Sequence, residues 1–214
     1  MEESVVEGIV RDLGLGEIPG IVVILLTGSA SENSPADAEI DLIVVTSAKQ
    51  WSRRKGTVEA AQVDLFLHGI EKIRDEICNG TTDSIVNMYA EATFLRGDRR
   101  ISEELVRLAQ MRLLQKRPLS DTERAAYLEK SESFVRKALR STDPTELRFL
   151  CAVLAVTLTQ GAIHFRGGWI PGPDRALRLL QMMSPDAHRS IAALLAAPSR
   201  DVIAAAVSRC LRNS

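Results

Sequence analysis

The feature that most constrains this chain is a change of period. Up to residue 67 its apolar residues include continuous β-branched runs; from residue 70 onward they recur at helical spacing. Ile21–Leu26 and Ile40–Val45 are such runs, bounded by turn residues, and predict buried strands. Val58–Leu67 predicts a third strand, closed by His68-Gly69. Between them, the polar stretch Thr27–Ala38 reads as a loop or a loop leading into a short helix, and the basic stretch Lys49–Gly56 reads as a connection. Ser4–Leu13 precedes the first strand with apolar residues at helical spacing, and Pro19-Gly20 makes the turn between them.

Past residue 70 the pattern predicts helices over Ile70–Cys78 and Ser84–Leu95, a turn at Gly97–Arg100, and a long helix opening at Ser102-Glu103-Glu104. Lys116-Arg117-Pro118 breaks that helix. Further helices follow at Asp121–Arg140, Thr145–Phe165, Asp174–Met183, Pro185–Ala196 and Asp201–Leu211, with one conspicuous loop at Gly167–Pro173. Strands confined to one part and helices filling the rest define an α+β protein: a small mixed-sheet domain over residues 1–99 and an all-helical domain over 100–214.

The formal net charge of the 214 residues is -1. That lacks the basic excess of many nucleic-acid binders and favours a small-molecule partner over a nucleic-acid acceptor. Cys78, Cys151 and Cys210 are odd in number and widely spaced, which predicts free thiols in a reducing cytoplasmic setting. His68, His164 and His188 form no cluster that would suit zinc. The start, Met-Glu-Glu-Ser, lacks the pattern of a signal peptide. The most apolar later stretch, Phe149–Ile163, carries Thr157, Thr159 and Gln160 and reads as a buried helix, so no membrane partner is expected.

Three features in the strand-rich part carry chemistry. Gly28-Ser29 follows the first strand directly. Glu39-Ile40-Asp41 opens the second. Asp64 interrupts the apolar third strand in Gln62-Val63-Asp64-Leu65-Phe66-Leu67. Residues two apart on a strand share a face, so Glu39 and Asp41 aim together, and Asp64 can add a third carboxylate from a neighbouring strand. Converging carboxylates repel one another unless a cation compensates them, and magnesium takes carboxylate and phosphate oxygens together. Gly28 permits close backbone approach, and Ser29 adds a hydroxyl where a phosphate would lie.

The segment Leu26-Thr27-Gly28-Ser29, then Glu39-Ile40-Asp41-Leu42-Ile43-Val44-Val45, then Val63-Asp64-Leu65-Phe66, resembles the nucleotidyltransferase superfamily of DNA-polymerase-beta-like fold. A helical domain after the catalytic one is similar to the antibiotic-type members. The resemblance implies that Glu39, Asp41 and Asp64 hold Mg2+ or Mn2+, with Asp64 also the candidate general base. Gly28 and Ser29 would hold a nucleoside triphosphate. It implies transfer of a nucleoside monophosphate to a hydroxyl of a small, antibiotic-like acceptor, with release of pyrophosphate. The pattern departs from the family at Glu39, where Asp is usual, and at Ser31 and Glu32, where many members carry Arg. Other acceptors stay open, a transfer RNA or partner protein among them, as do a non-catalytic nucleotide-binding module, an unrelated α+β fold with a coincidental acid pattern, and a homodimer.

Several residues have plainer readings. Asp64 can be a core acid paired with Arg53 or Arg54. Lys49, Arg53, Arg54 and Lys55 suit either a triphosphate or a solvated connection, and Glu91 and Asp98 read as surface and turn residues. Trp169 fits a pocket edge or a plug between helices, and His164 reads as a core histidine.

Overall fold

The computed structural model describes residues 8, 10–28, 40–58 and 61–211. The chain divides into two compact units, Met1–Gln115 and Lys116–Ser214. Among the described residues the first holds the strands β1 (Ile21–Thr27), β2 (Ile40–Thr46), β3 (Trp51–Val58), β4 (Ala61–Gly69) and β5 (Thr93–Gly97). With them are helices α1 (Ile70–Asn79), α2 (Asp83–Ala90) and α3 (Arg99–Leu113). The second unit consists of α4 (Asp121–Arg140), α5 (Pro144–Phe165), α6 (Pro173–Met183), α7 (Pro185–Ala196) and α8 (Arg200–Leu211). This is the α+β class expected from the change of period. Helix α3 falls in the first unit, so the division lies further along than residues 99/100: its Leu105 and Ala109 are buried in the sheet's own core.

The strands form one mixed sheet in the order β3-β4-β2-β1-β5. β2 and β4 run parallel, and the other three pairs are antiparallel. Alternation sorts the side chains to two faces. Val23, Leu25, Ile43 and Val45 pack with Ile73 and Ile77 of α1, Ile85 and Tyr89 of α2, and Leu105 of α3. On the other face Ile24, Leu26, Leu42, Val44, Val63, Leu65 and Leu67 pack with Leu15.

Three expectations need correction. The stretch Lys49–Gly56 is not a plain connection: Trp51–Val58 is a strand, hairpin-paired with β4. Its run of charges hides it, yet an edge strand tolerates charge because one side of it faces solvent. Second, the helix expected over Ser84–Leu95 stops at Ala90, and Thr93–Gly97 pairs with β1 instead. Pairing with an apolar strand supplies backbone partners that override local helical spacing. Third, α3 starts at Arg99 rather than near Ser102, because the Asp98 side chain accepts from the Arg100 and Ile101 amides as an N-cap. Asp98 is thus a cap rather than a plain turn residue. Of the expected helix Ser4–Leu13, residue 8 and residues 10–12 are helical; the others before residue 10 lie outside the described residues.

The second unit is built around α5. Leu150, Leu154, Leu158, Ala162 and Ile163 of that helix meet Ala138, Leu180, Ile191, Leu194, Ile203 and Ala206 from its neighbours. Asp143 caps its N-terminus with Pro144 in the first turn, and Ser120 and Glu123 form a capping box on α4. Helix α5 is long and apolar enough to cross a membrane by length and composition, yet most of it is buried among the other helices. His164 is a core histidine, with the Tyr127 hydroxyl 2.9 Å from Nδ1. Trp169 is buried at 5% exposure, with the Arg117 guanidinium 6.0 Å from its ring centroid, which matches the plug reading. The three cysteines are free.

In the first unit, His68 stacks on Trp51 with centroids 4.3 Å apart, and its Nδ1 lies 2.9 Å from the Tyr89 hydroxyl. Burial, reinforced by the Lys72 ammonium, pushes its imidazole down to about 4. The folded protein therefore disfavours the proton that an unfolded histidine binds near pH 6.5. Between those two values the unfolded state holds more protons, so stability rises with pH and falls as the pH drops from 7 to 5. The expected loss is about 2 kcal/mol over that interval. Urea unfolding at pH 7 and pH 5 checks this, and His68→Gln should flatten that part of the profile.

Candidate active site

The parallel register of β2 and β4 places Asp41 opposite Asp64. Thr27 of β1 lies opposite Asp41, and Lys55 of β3 opposite Asp64. Paired residues project to the same face, so Thr27, Asp41, Asp64 and Lys55 form one row across four strands. The next row on that face is Leu25, Ile43, Phe66 and Arg53, and the one after it Val23, Val45, His68 and Trp51. The carboxylate row is thus the polar end of the helix-covered face. Neighbouring strands lie about 4.8 Å apart, a span that two carboxylates can close around one cation with oxygen ligands.

Asp41 is half-buried and Asp64 is buried. Gly28 crowds Asp41 from the end of β1. Its φ is +79°, and a Cβ there would lie 2.6 Å from Asp41 Oδ2 and 3.3 Å from its Cγ. Only a residue without a side chain allows the backbone so close to that carboxylate. Thr27, beside it, donates from its hydroxyl to the Met88 carbonyl at 2.8 Å, which ties the end of β1 to α2.

Asp64 has cationic neighbours on its other side. Arg53 Nη2 donates to Oδ2, and the Lys55 Nζ stands 3.8 Å from Oδ1. The Arg53 guanidinium also lies 5.2 Å from the Phe66 ring centroid. The hydrogen bond from Arg53, helped by the charges of Arg53 and Lys55, lowers the Asp64 carboxyl below its ordinary value although burial opposes this. Oδ1 is buried and accepts no hydrogen bond among the described residues. That oxygen, reached among the described residues only by the Lys55 ion pair and set on the strand beside Asp41, fits a hard divalent cation.

Glu39 and Ser29, the other two expected site residues, lie outside the described residues. Among the described residues no three His, Cys, Asp or Glu side chains gather at one point. The sequence pattern offered Arg53 or Arg54 as the partner of Asp64. The structure uses Arg53 and Lys55, because Arg54 lies opposite Leu65 and so faces the other side. Thr27 and Lys55 were not expected in the row. The spacing of Trp51, Arg53 and Lys55 at every second residue was the available signal, hidden by the charges on both faces of that strand.

Neither protein-family models nor curated proteins match the sequence. Among solved structures, the chain is similar to a nucleotidyltransferase-like protein from Exiguobacterium sibiricum 255-15. The TM-score is 0.54 over 96% of this chain and 71% of that one, at 14% identity. At that identity the likeness is one of fold, and the mixed sheet followed by helices is a nucleotidyltransferase-like fold.

Gly28→Ala should cost about 1–2 kcal/mol from its positive φ alone, and it should also displace the Asp41 carboxylate. Gly14 is the control: its φ is +62°, but a Cβ there meets nothing nearer than Glu17 Oε2 at 4.0 Å. Chemical unfolding should show a loss in both variants, at least as large in Gly28→Ala as in Gly14→Ala. Metal titration should show weakened binding in Gly28→Ala only.

Proposed function

We propose that the chain is a metal-dependent nucleotidyltransferase that moves a nucleoside monophosphate from a nucleoside triphosphate to a hydroxyl of a small acceptor. The observation that supports it best is the register that sets Asp41, crowded by Gly28, beside Asp64. Asp41 and Asp64, with Glu39, would hold Mg2+ or Mn2+. A bound divalent cation supplies charge stabilisation at the phosphate oxygens and aligns nucleophile and leaving group.

The chain's own groups do the rest. Backbone at Gly28 and the Ser29 hydroxyl would receive the triphosphate, since no side chain at residue 28 blocks its approach. The acceptor oxygen attacks the α-phosphorus. An O–P bond forms, the bond to the bridging β-oxygen breaks, and pyrophosphate leaves with the electron pair. The hydroxyl proton passes to a carboxylate, for which Asp64, opposite Asp41 in the parallel register, is the candidate. Catalysis is then mostly positioning and electrostatic stabilisation.

One second reading has an observation in its favour. The Arg53–Asp64 ion pair already compensates one acid of the row, as a nucleotide-binding module without turnover would allow. A turnover assay separates the two.

Calorimetry with a non-hydrolysable triphosphate should show binding that requires Mg2+ or Mn2+, and Asp41→Ala should weaken it at least about tenfold. Pyrophosphate release over a panel of hydroxylated acceptors, with Asp64→Asn as the blank, tests turnover. Metal-independent binding that Asp41→Ala leaves unchanged defeats the reading.

A further inference from the structure

The edge strand β3 places two cations on the side of Asp64 away from Asp41. Arg53 and Lys55 are two residues apart, share the face of the carboxylate row, and both reach Asp64. Their exposures contrast with that of their partner. The Asp64 side chain is 5% exposed, while those of Arg53 and Lys55 are 56% and 67% exposed. A carboxylate buried to that degree must be compensated at all times. Two cations with heads in solvent can leave it without unpacking any core, because only their stems lie along the strand.

We propose that Arg53 and Lys55 are exchangeable counter-ions, which neutralise Asp64 while no divalent cation is bound and turn to the nucleotide's phosphates when one takes their place. The inference rests on the nucleotidyltransferase reading above. A divalent cation bound between Asp41 and Asp64 carries the same sign as the guanidinium and competes with it for the same oxygens. The displaced Arg53 keeps a second support, the Phe66 ring, its cross-strand neighbour. That contact retains the guanidinium on the face where the triphosphate would lie, and a guanidinium suits phosphate by its forked donors. Lys55 stands directly opposite Asp64 and needs only to swing its ammonium outward. The metal-free chain thereby avoids bare repulsion between Asp41 and Asp64, and the same two charges serve again once phosphates arrive.

A permanent structural ion pair predicts something different. In that case loss of Arg53 leaves Asp64 poorly compensated, and every property of the site declines together. Exchange predicts opposite signs for the two ligands. Calorimetry on the full chain, with Mn2+ alone and then with a non-hydrolysable triphosphate at saturating Mn2+, reads both. Arg53→Gln and Lys55→Gln should each bind Mn2+ alone roughly threefold tighter or more. Each should bind the triphosphate about tenfold weaker or worse. Arg53→Lys keeps the charge and should stay close to wild type for Mn2+. If Arg53→Gln fails to fold, Lys55→Gln and Arg53→Lys carry the comparison. Affinities that fall together, stay unchanged, or change for only one ligand overturn the exchange. Wild-type protein that binds no triphosphate with metal overturns the underlying reading, and the exchange with it.

Discussion

A buried carboxylate has to be compensated, and in this protein the compensation of Asp64 organises one end of a sheet. The residue sits where an all-apolar strand would be simplest, between Val63 and Leu65, both of which are buried on the opposite face. Its presence requires a partner strand that carries cations, and β3 supplies them at Arg53 and Lys55. It also sets the character of β2, whose Asp41 lies opposite in the parallel register. Two acids side by side are tolerable only with charge of the other sign nearby, so β2, β4 and β3 form an electrostatic unit as well as a hydrogen-bonded one.

The rest of the sheet serves to hold that row fixed. Beyond it the same face becomes apolar within one step, at Leu25, Ile43 and Phe66, and helices α1 to α3 pack over this apolar part of the face. Thr27 bridges the two regimes by bonding to α2 through the Met88 carbonyl. At the far end His68, kept neutral by burial, joins β4 to the same helix through Tyr89. Polar groups therefore tie the strands to the helices at both ends of an apolar layer. The row is held in place by this support, since the carboxylates are only as well placed as their backbones.

The second unit follows a different logic. It is held by one nearly all-apolar helix, α5, around which four amphipathic helices gather. The polar residues that interrupt α5 are satisfied locally: Thr157 and Thr159 donate to carbonyls one turn back, and His164 meets Tyr127. A segment that resembles a membrane helix by composition becomes a core helix because its neighbours present complementary apolar faces.

The sequence by itself determined the class of the fold, because strand-type and helix-type apolar periods occupy separate parts of the chain. It determined the helices of the second unit to within a residue or two, since a capping side chain or a proline marks the start of each. It also pointed to Asp41 and Asp64, because an acid in an apolar strand is a local anomaly that needs no partner to be noticed. Only the tertiary structure decided that β3 is a strand, that β5 leaves its helical context, and that Arg53 and Lys55 rather than Arg54 reach Asp64. Each of those depends on pairing with a strand distant in sequence or on parity across a hairpin. Strand pairing is non-local, and a charged edge strand carries no apolar period to announce itself, so which of Lys49, Arg53, Arg54 and Lys55 reach Asp64 became legible only once the sheet had been assembled.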